Sequence, residues 1–116
     1  MGLLTTTFAT NPLLLEANLV NANRELAGAD AAAIVAWGLA QARRPVISTN
    51  FRPGAAALLH LVVAARPDIP VVWVDTGYNT PATYRYVAAL RERWRLNLHC
   101  YTPRLTTAHW QAIHGR

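Results

Sequence analysis

Two short stretches place chemistry-bearing side chains where an apolar run ends and a helix begins. In Pro70-Val71-Val72-Trp73-Val74-Asp75-Thr76-Gly77-Tyr78, four apolar residues stop at a carboxylate, and Asn79-Thr80-Pro81 then restarts the chain with a capping threonine and a proline at the first helical position. Asp75 could accept a hydrogen bond from a ribose hydroxyl or an adenine amine, and Thr76 could donate to a phosphate or sulfate oxygen. The structural alternative has Asp75 bonding the backbone N–H groups of its own turn, as aspartates in turns often do. In the second stretch, Pro45-Val46-Ile47-Ser48-Thr49-Asn50-Phe51-Arg52-Pro53-Gly54, the side chains of Ser48, Thr49 and Asn50 are candidate ligand donors. Arg52 adds a fixed positive charge, and the helix starting near Gly54 offers unpaired N–H groups with room for a close ligand. The alternative there is an ordinary loop with a solvated arginine. The stretch is no Walker A loop, for it has no Gly-x-x-x-x-Gly-Lys-[Ser/Thr].

The elements that must position these residues follow from periodicity. Asn11-Pro12 opens a helical pattern through about Leu26, which Gly28 ends. Asp30 caps a second helix to about Arg43, with Ile34, Trp37 and Leu39 as core candidates and Arg43-Arg44 suited to its negative end. From there strands and helices alternate. Val46–Thr49 reads as a strand and Gly54–Ala65 as a helix with Leu58, Leu59, Val62 and Val63 in one buried stripe. Val71–Val74 reads as a buried strand, and Pro81–Arg95 as a helix with Tyr84, Val87, Leu90 and Trp94 inward. Leu98–Tyr101 and Thr106–His114 complete the series as a strand and a helix. Such alternation predicts an α/β fold with a parallel sheet and flanking helices, the two junctions lying side by side at its carboxyl edge. Residues 1–44 form a helical N-terminal segment, and 45–116 have the organisation of the first half of a larger α/β domain.

Composition narrows the class. At 116 residues and 53% hydrophobic, the chain holds no more than one globular domain and is not a disordered polymer. No apolar run approaches the ~20 residues of a membrane span. The opening Met1-Gly2-Leu3-Leu4 lacks the basic segment of a signal peptide, so a cytoplasmic protein with no membrane partner is expected. The net charge of +5 rests on eleven arginines with no lysine. No basic run interleaves with aromatics, which argues against nucleic acid. Cys100, the single cysteine, precludes an internal disulfide and a multi-thiolate cluster, and within a strand it reads as a small core residue. His109 and His114 are five apart, not the four that aligns two ligands on one helix face, and no metal or cofactor is assigned.

As a set, the junctions resemble the phosphoadenosine phosphosulfate (PAPS) reductase family. The resemblance rests on Ser48-Thr49-Asn50-Phe51 with Ala55-Ala56-Ala57-Leu58-Leu59-His60-Leu61, on Arg66-Pro67-Asp68-Ile69-Pro70-Val71, and on Asp75-Thr76-Gly77-Tyr78, Pro81, Thr83-Tyr84-Arg85 and Leu96-Asn97-Leu98. It covers about Val46 to Trp110. It implies an adenine-nucleotide α-hydrolase-like fold with a modified PP-loop, and a sulfonucleotide substrate, PAPS or adenylyl sulfate. It further implies reduction to sulfite and adenosine 3′,5′-bisphosphate, with thioredoxin or glutaredoxin as donor. By position, Ser48, Thr49, Asn50 and Phe51 would hold the phosphosulfate end, and Asp75, Thr76, Gly77 and Tyr78 would border the nucleotide; Arg52 and Gly54 join the substrate-binding set from the reading of their own chemistry. Arg52-Pro53 departs from the glycine that commonly follows the phenylalanine. The family nucleophile is a cysteine in a Glu-Cys-Gly tail. No position here matches it, Cys100 does not take its role, and the resemblance places it beyond Arg116. The expectation is therefore a substrate-binding fragment, inactive alone and without a catalytic residue of its own, with an exposed sheet edge suited to self-association. The alternatives are an ATP-splitting PP-loop enzyme or ATP sulfurylase-like subunit, and a non-catalytic nucleotide-binding remnant.

Overall fold

The computed structural model describes residues 16–115 and divides into two compact units between Arg43 and Arg44. In the first unit, α1 (Glu16–Leu26) carries Glu16 in its first turn and Arg24 in its last, as the helix dipole favours. The predicted start at Asn11-Pro12 lies outside the described residues, and so does Arg116, beyond which the sequence reading places the nucleophilic cysteine. Helix α2 (Ala31–Gln41) begins where predicted, with the Asp30 carboxylate accepting from the Ala33 N–H at 2.8 Å. It ends two residues earlier than expected, because Ala42 is already extended ahead of Pro45, so Arg43 and Arg44 lie beyond its last turn. Ile34, a core candidate, is exposed, while Trp37 and Leu39 are half-buried.

The second unit is a three-stranded sheet in the order β1 (Ile47–Ser48), β2 (Pro70–Val74), β3 (Asn97–Tyr101), all parallel. Between β1 and β2 lie a 3₁₀ turn (Pro53–Ala55) and α3 (Ala56–Ala65). Helix α4 (Pro81–Arg93) joins β2 to β3, and α5 (Thr107–His114) follows β3. Thr80 caps α4 through the Thr83 N–H with Pro81 in the first turn, and Thr106 caps α5 through the His109 N–H. Arg95, at φ +50°, turns the chain out of α4, which ends two residues before the predicted boundary. Asn97 then ties the start of β3 to the turn before β2 by donating to the Asp68 carbonyl at 3.1 Å. Among the described residues no helix is long and apolar enough to cross a membrane.

Register decides which side chains meet. Ile47 pairs with Val71 and Val71 with Leu98, so these three share one face with Trp73. Leu59 of α3 and Val87 and Leu90 of α4 cover that face, and with Phe51 and Leu96 they close the core around Val71 and Trp73. The opposite face carries Ser48, Val72, Val74, His99 and Tyr101. Within this unit it is open, with Val74 at 61% and Tyr101 at 58% of full exposure. The strand predicted as buried throughout thus alternates, because both crossover helices pack on one side. The same one-sidedness splits the predicted α3 stripe: Leu59 and Val62 are buried, Val63 packs at the margin, and Leu58 is exposed.

Cys100 is a correction. It sits opposite Trp73 in register, on the covered face, yet it is exposed, because β3 lies at the margin of this sheet where only Leu98 packs against the core.

The two neighbours on α3 offer a direct test. Leu59→Ala should cost about 2–5 kcal/mol in urea denaturation, whereas Leu58→Ala should change stability by less than about 0.5 kcal/mol.

Candidate functional site

The first junction is a loop that satisfies its own backbone. Thr49 extends the β1–β2 ladder, its N–H donating to the Val72 carbonyl at 3.0 Å. Its hydroxyl oxygen accepts from the Phe51 N–H at 3.1 Å, and the Asn50 side-chain oxygen accepts from the Arg52 N–H at 3.0 Å. Phe51 takes φ +54°, a left-handed conformation that a bulky residue adopts only when its surroundings compel it. Here the compulsion is packing: its ring is buried and meets Trp73 edge-on, the centroids 5.5 Å apart. Phe51 therefore presents only backbone to a ligand, while Arg52 beyond it is exposed. Gly54 lies in the 3₁₀ turn ahead of its first bond, from the Ala55 N–H to the Arg52 carbonyl, and a side chain there would meet nothing within 4 Å.

The second junction follows the same rule and adds to it. Asp75 continues the ladder through its N–H to the Tyr101 carbonyl at 2.9 Å. Its Oδ1 accepts three hydrogen bonds: from the Gly77 N–H at 2.9 Å, the Asn79 amide at 3.0 Å and the Tyr84 hydroxyl at 2.8 Å. All three fall on Oδ1 rather than Oδ2. Partial desolvation pushes the Asp75 carboxyl up, but the bonds from Gly77, Asn79 and Tyr84 together outweigh it and hold the group below its usual value. The same bond to Asp75 raises the Tyr84 phenol above its usual value. Thr76 closes the turn, its hydroxyl accepting from the Tyr78 N–H at 3.3 Å.

Parallel pairing brings the junctions together. Asn50, Arg52 and Pro53 face Thr76, Asn79 and Thr83 across a cleft of about 300 Å³. Ser48, Thr49 and Asn50 also border a larger depression, of about 470 Å³, that runs onto the open sheet face past Val72 and Val74. Asp75, Thr76 and Gly77 line a further cleft of about 300 Å³ with the segment 102–107 after β3. Tyr78 borders an adjoining apolar hollow, lined also by Thr76, with Pro103, Leu105 and Trp110. Sequence reasoning misses the polar roles of Asn79, Thr83 and Tyr84, and the third junction at Thr102–Thr107. The signal for the last is present, since Thr106 repeats after β3 the strand-cap-helix pattern of Thr80. Among the described residues no group of three or more His, Cys, Asp or Glu could hold a metal ion.

Residues 44–116 match the phosphoadenosine phosphosulfate reductase domain, more than half of the chain. The chain belongs to the PAPS reductase family. It is 41% identical over 106 residues to a phosphoadenosine 5′-phosphosulfate reductase from Synechococcus, covering 90% of this chain and 45% of that one. Identity to the protein of the same name from Alkalilimnicola ehrlichii is 46%, over 90% of this chain and 43% of the relative. With the Xanthomonas campestris protein the match is 41% over 100% of this chain and 48% of the relative. The chain thus spans just under half the length of these relatives. The fold is shared with the crystal structure of a PAPS reductase from Candida auris in its phosphate complex. The TM-score is 0.75 at 18% identity, over 88% of this chain and 51% of that one.

Gly77 lets the second and third junctions of this PAPS reductase-family chain lie close together. It sits at φ +84°, and a β-carbon there would stand 2.7 Å from Thr107 Cγ2. Gly77→Ala should therefore lose about 1–3 kcal/mol of stability by thermal or urea unfolding, and adding Thr107→Ser should restore the steric part only. Acid sensitivity follows from Asp75. Its folded value is depressed, so its contribution is fully present above the unfolded value and is lost as pH falls through the folded one. An Asp75→Asn chain should lose less stability over that acid range, followed by circular dichroism.

Proposed function

We propose that this chain carries the sulfonucleotide-binding part of a PAPS reductase of assimilatory sulfate reduction. The observation that carries the reading is the cleft in which Asn50 and Arg52 of one strand end face Thr76 of the next, with Asp75 beside it holding one carboxylate oxygen clear of its own loop. Arg52 supplies a forked cation for a phosphate or sulfate group. The Thr76 hydroxyl supplies a neutral donor in the cleft, Ser48 supplies one in the neighbouring depression and the Gly54 N–H one at the turn after Arg52, and Asp75 Oδ2 supplies an acceptor for a ribose hydroxyl or an adenine amine. The Candida auris relative is a phosphate complex, which is in keeping with an anion as ligand.

In the reaction proposed for the whole protein, a cysteine thiolate attacks the sulfur of the bound sulfonucleotide. The S–O bond breaks, adenosine 3′,5′-bisphosphate leaves with the bonding pair, and the sulfonate stays on the cysteine. A dithiol donor of the thioredoxin or glutaredoxin class then attacks the cysteine sulfur, and sulfite departs with the electron pair of the S–S bond. The donor's second thiol attacks the mixed disulfide, which returns the cysteine as thiolate and leaves the donor oxidised to its disulfide. The residues described above bind and orient the substrate for that attack. None of them is placed as the nucleophile; Cys100 lies in β3 and is not among the residues lining the Arg52–Thr76 cleft.

The self-capped loops weigh against an ATP-splitting reading. A pyrophosphate cradle draws on free backbone N–H groups, whereas those of Phe51, Arg52, Gly77 and Tyr78 are already taken.

Calorimetry on the 116-residue chain should show adenosine 3′,5′-bisphosphate binding that Arg52→Ala and Asp75→Ala each weaken by roughly tenfold or more. Sulfite release from PAPS with thioredoxin should be absent. Binding that neither substitution alters would remove the site from this cleft, and robust turnover would show that the chemistry needs no residue outside the chain.

A further inference from the structure

The Asp75 loop contains more hydrogen bonds than its turn needs. An aspartate closes such a turn with one bond, here the Gly77 N–H to Oδ1 at 2.9 Å. Two further donors converge on the same oxygen, and one comes from a different element: the Tyr84 hydroxyl, nine residues on, in the first turns of α4. The terminal torsion of an aspartate is broad, so one bond leaves the carboxylate plane free to swing. Three donors converging on one oxygen narrow that swing and fix where the other oxygen points. The Tyr84 hydroxyl is itself placed from below, because its ring meets the buried Trp73 edge-on with centroids 6.0 Å apart. The chain of contacts runs from the core to a single carboxylate oxygen.

We infer that Tyr84 is a positioning residue for Asp75: with Asn79 and the Gly77 N–H it occupies Oδ1 and so presents Oδ2 as the acceptor for a hydroxyl or amino donor of the bound nucleotide. The inference rests on reading this edge as the nucleotide site. It gives Tyr84 a role through Asp75 alone, with no contact of its own to the ligand. Asn79, whose amide donates to the same oxygen, shares that role from the loop side.

A double-mutant cycle tests it. Tyr84→Phe keeps the ring against Trp73 and removes only the hydroxyl. Adenosine 3′,5′-bisphosphate is titrated calorimetrically into the 116-residue chain, Tyr84→Phe, Asp75→Ala and the double variant. Tyr84→Phe should bind roughly three- to tenfold more weakly, the effect of one hydrogen bond, and the double variant no more weakly than Asp75→Ala alone. Carbon-detected NMR of the Asp75 carboxyl should show its titration moving up toward the usual value in Tyr84→Phe, a change that loosened packing would not produce. Unaltered affinity in Tyr84→Phe would overturn the inference, as would an equal loss in the Asp75→Ala background, which would mean that Tyr84 acts on the ligand by itself. Absence of binding by the unsubstituted chain would overturn the nucleotide-site reading first. Should Tyr84→Phe lose its fold by circular dichroism, Asn79→Ala enters the same cycle with the same criteria.

Discussion

Trp73 is the residue on which both strand-to-helix junctions depend. It is buried on the covered face of β2, one position before the last strand residue, and two rings, one from a loop and one from a helix, meet it edge-on. Phe51 arrives from the first junction and Tyr84 from the helix that follows the second. Edge-to-face contacts of this kind contribute about 0.5–1.5 kcal/mol each beyond the area they bury. Their larger effect is geometric. The Phe51 ring is inserted so deeply that its backbone accepts a left-handed conformation, which redirects the chain and leaves Arg52 exposed. The Tyr84 ring sets the height of the hydroxyl that reaches Asp75. An apolar contact beneath the sheet edge thus fixes the polar groups above it.

The loops obtain rigidity without glycine-rich sequence. Thr49, Asn50, Asp75 and Thr76 each bond the backbone N–H two residues ahead, so four turns are closed by side chains rather than by a continuing ladder. This arrangement has a consequence for recognition. The backbone groups that would form an anion nest are satisfied internally, and what remains for a ligand is a guanidinium, hydroxyl protons, the Gly54 N–H and one carboxylate oxygen. On the function proposed above, such a set would distinguish an anion at one end from a donor-bearing group at the other, the polarity a sulfonucleotide offers. Proline after Arg52 removes one more backbone donor and presets the 3₁₀ turn, shifting the balance further from backbone toward side chain.

Much of this is legible in the sequence, and the reasons differ by element. The helix starts are plain because Asp30, Thr80 and Thr106 are caps whose local chemistry needs no tertiary context. The family follows from the order of several short motifs, none specific alone. What escapes is anything set by which side of the sheet is covered. Leu58 and Leu59 are equal in hydropathy pattern, and only the placement of α3 against Val71 separates them. Cys100 misleads for the same reason: strand alternation gives the face, and the face alone does not tell where helical cover stops. Periodicity turns Tyr84 inward, but the residue is exposed at the rim, touching only the edge of the core at Trp73, because its hydroxyl is drawn to Asp75, and a pattern of apolar positions treats tyrosine as a ring.

That blindness bears on how such sites are built. Apolar periodicity and polar function are usually assigned to different residues, but a tyrosine in the first turns of a helix can serve both, its ring on the core and its hydroxyl at the sheet edge. In this chain the ring of Tyr84 meets Trp73 at the rim of the core, and that one contact helps to place the hydroxyl that bonds Asp75. A lysine or glutamine at the same position would have to lose more side-chain freedom to make the bond. Against partial desolvation, the Asp75 carboxyl is held below its usual value by the Gly77 N–H first, then by the Asn79 amide and the Tyr84 hydroxyl. Preorganisation of the acceptor is therefore already accomplished by the core, and it is the hydrophobic pattern of β2 and α4 that carries the electrostatics of the edge.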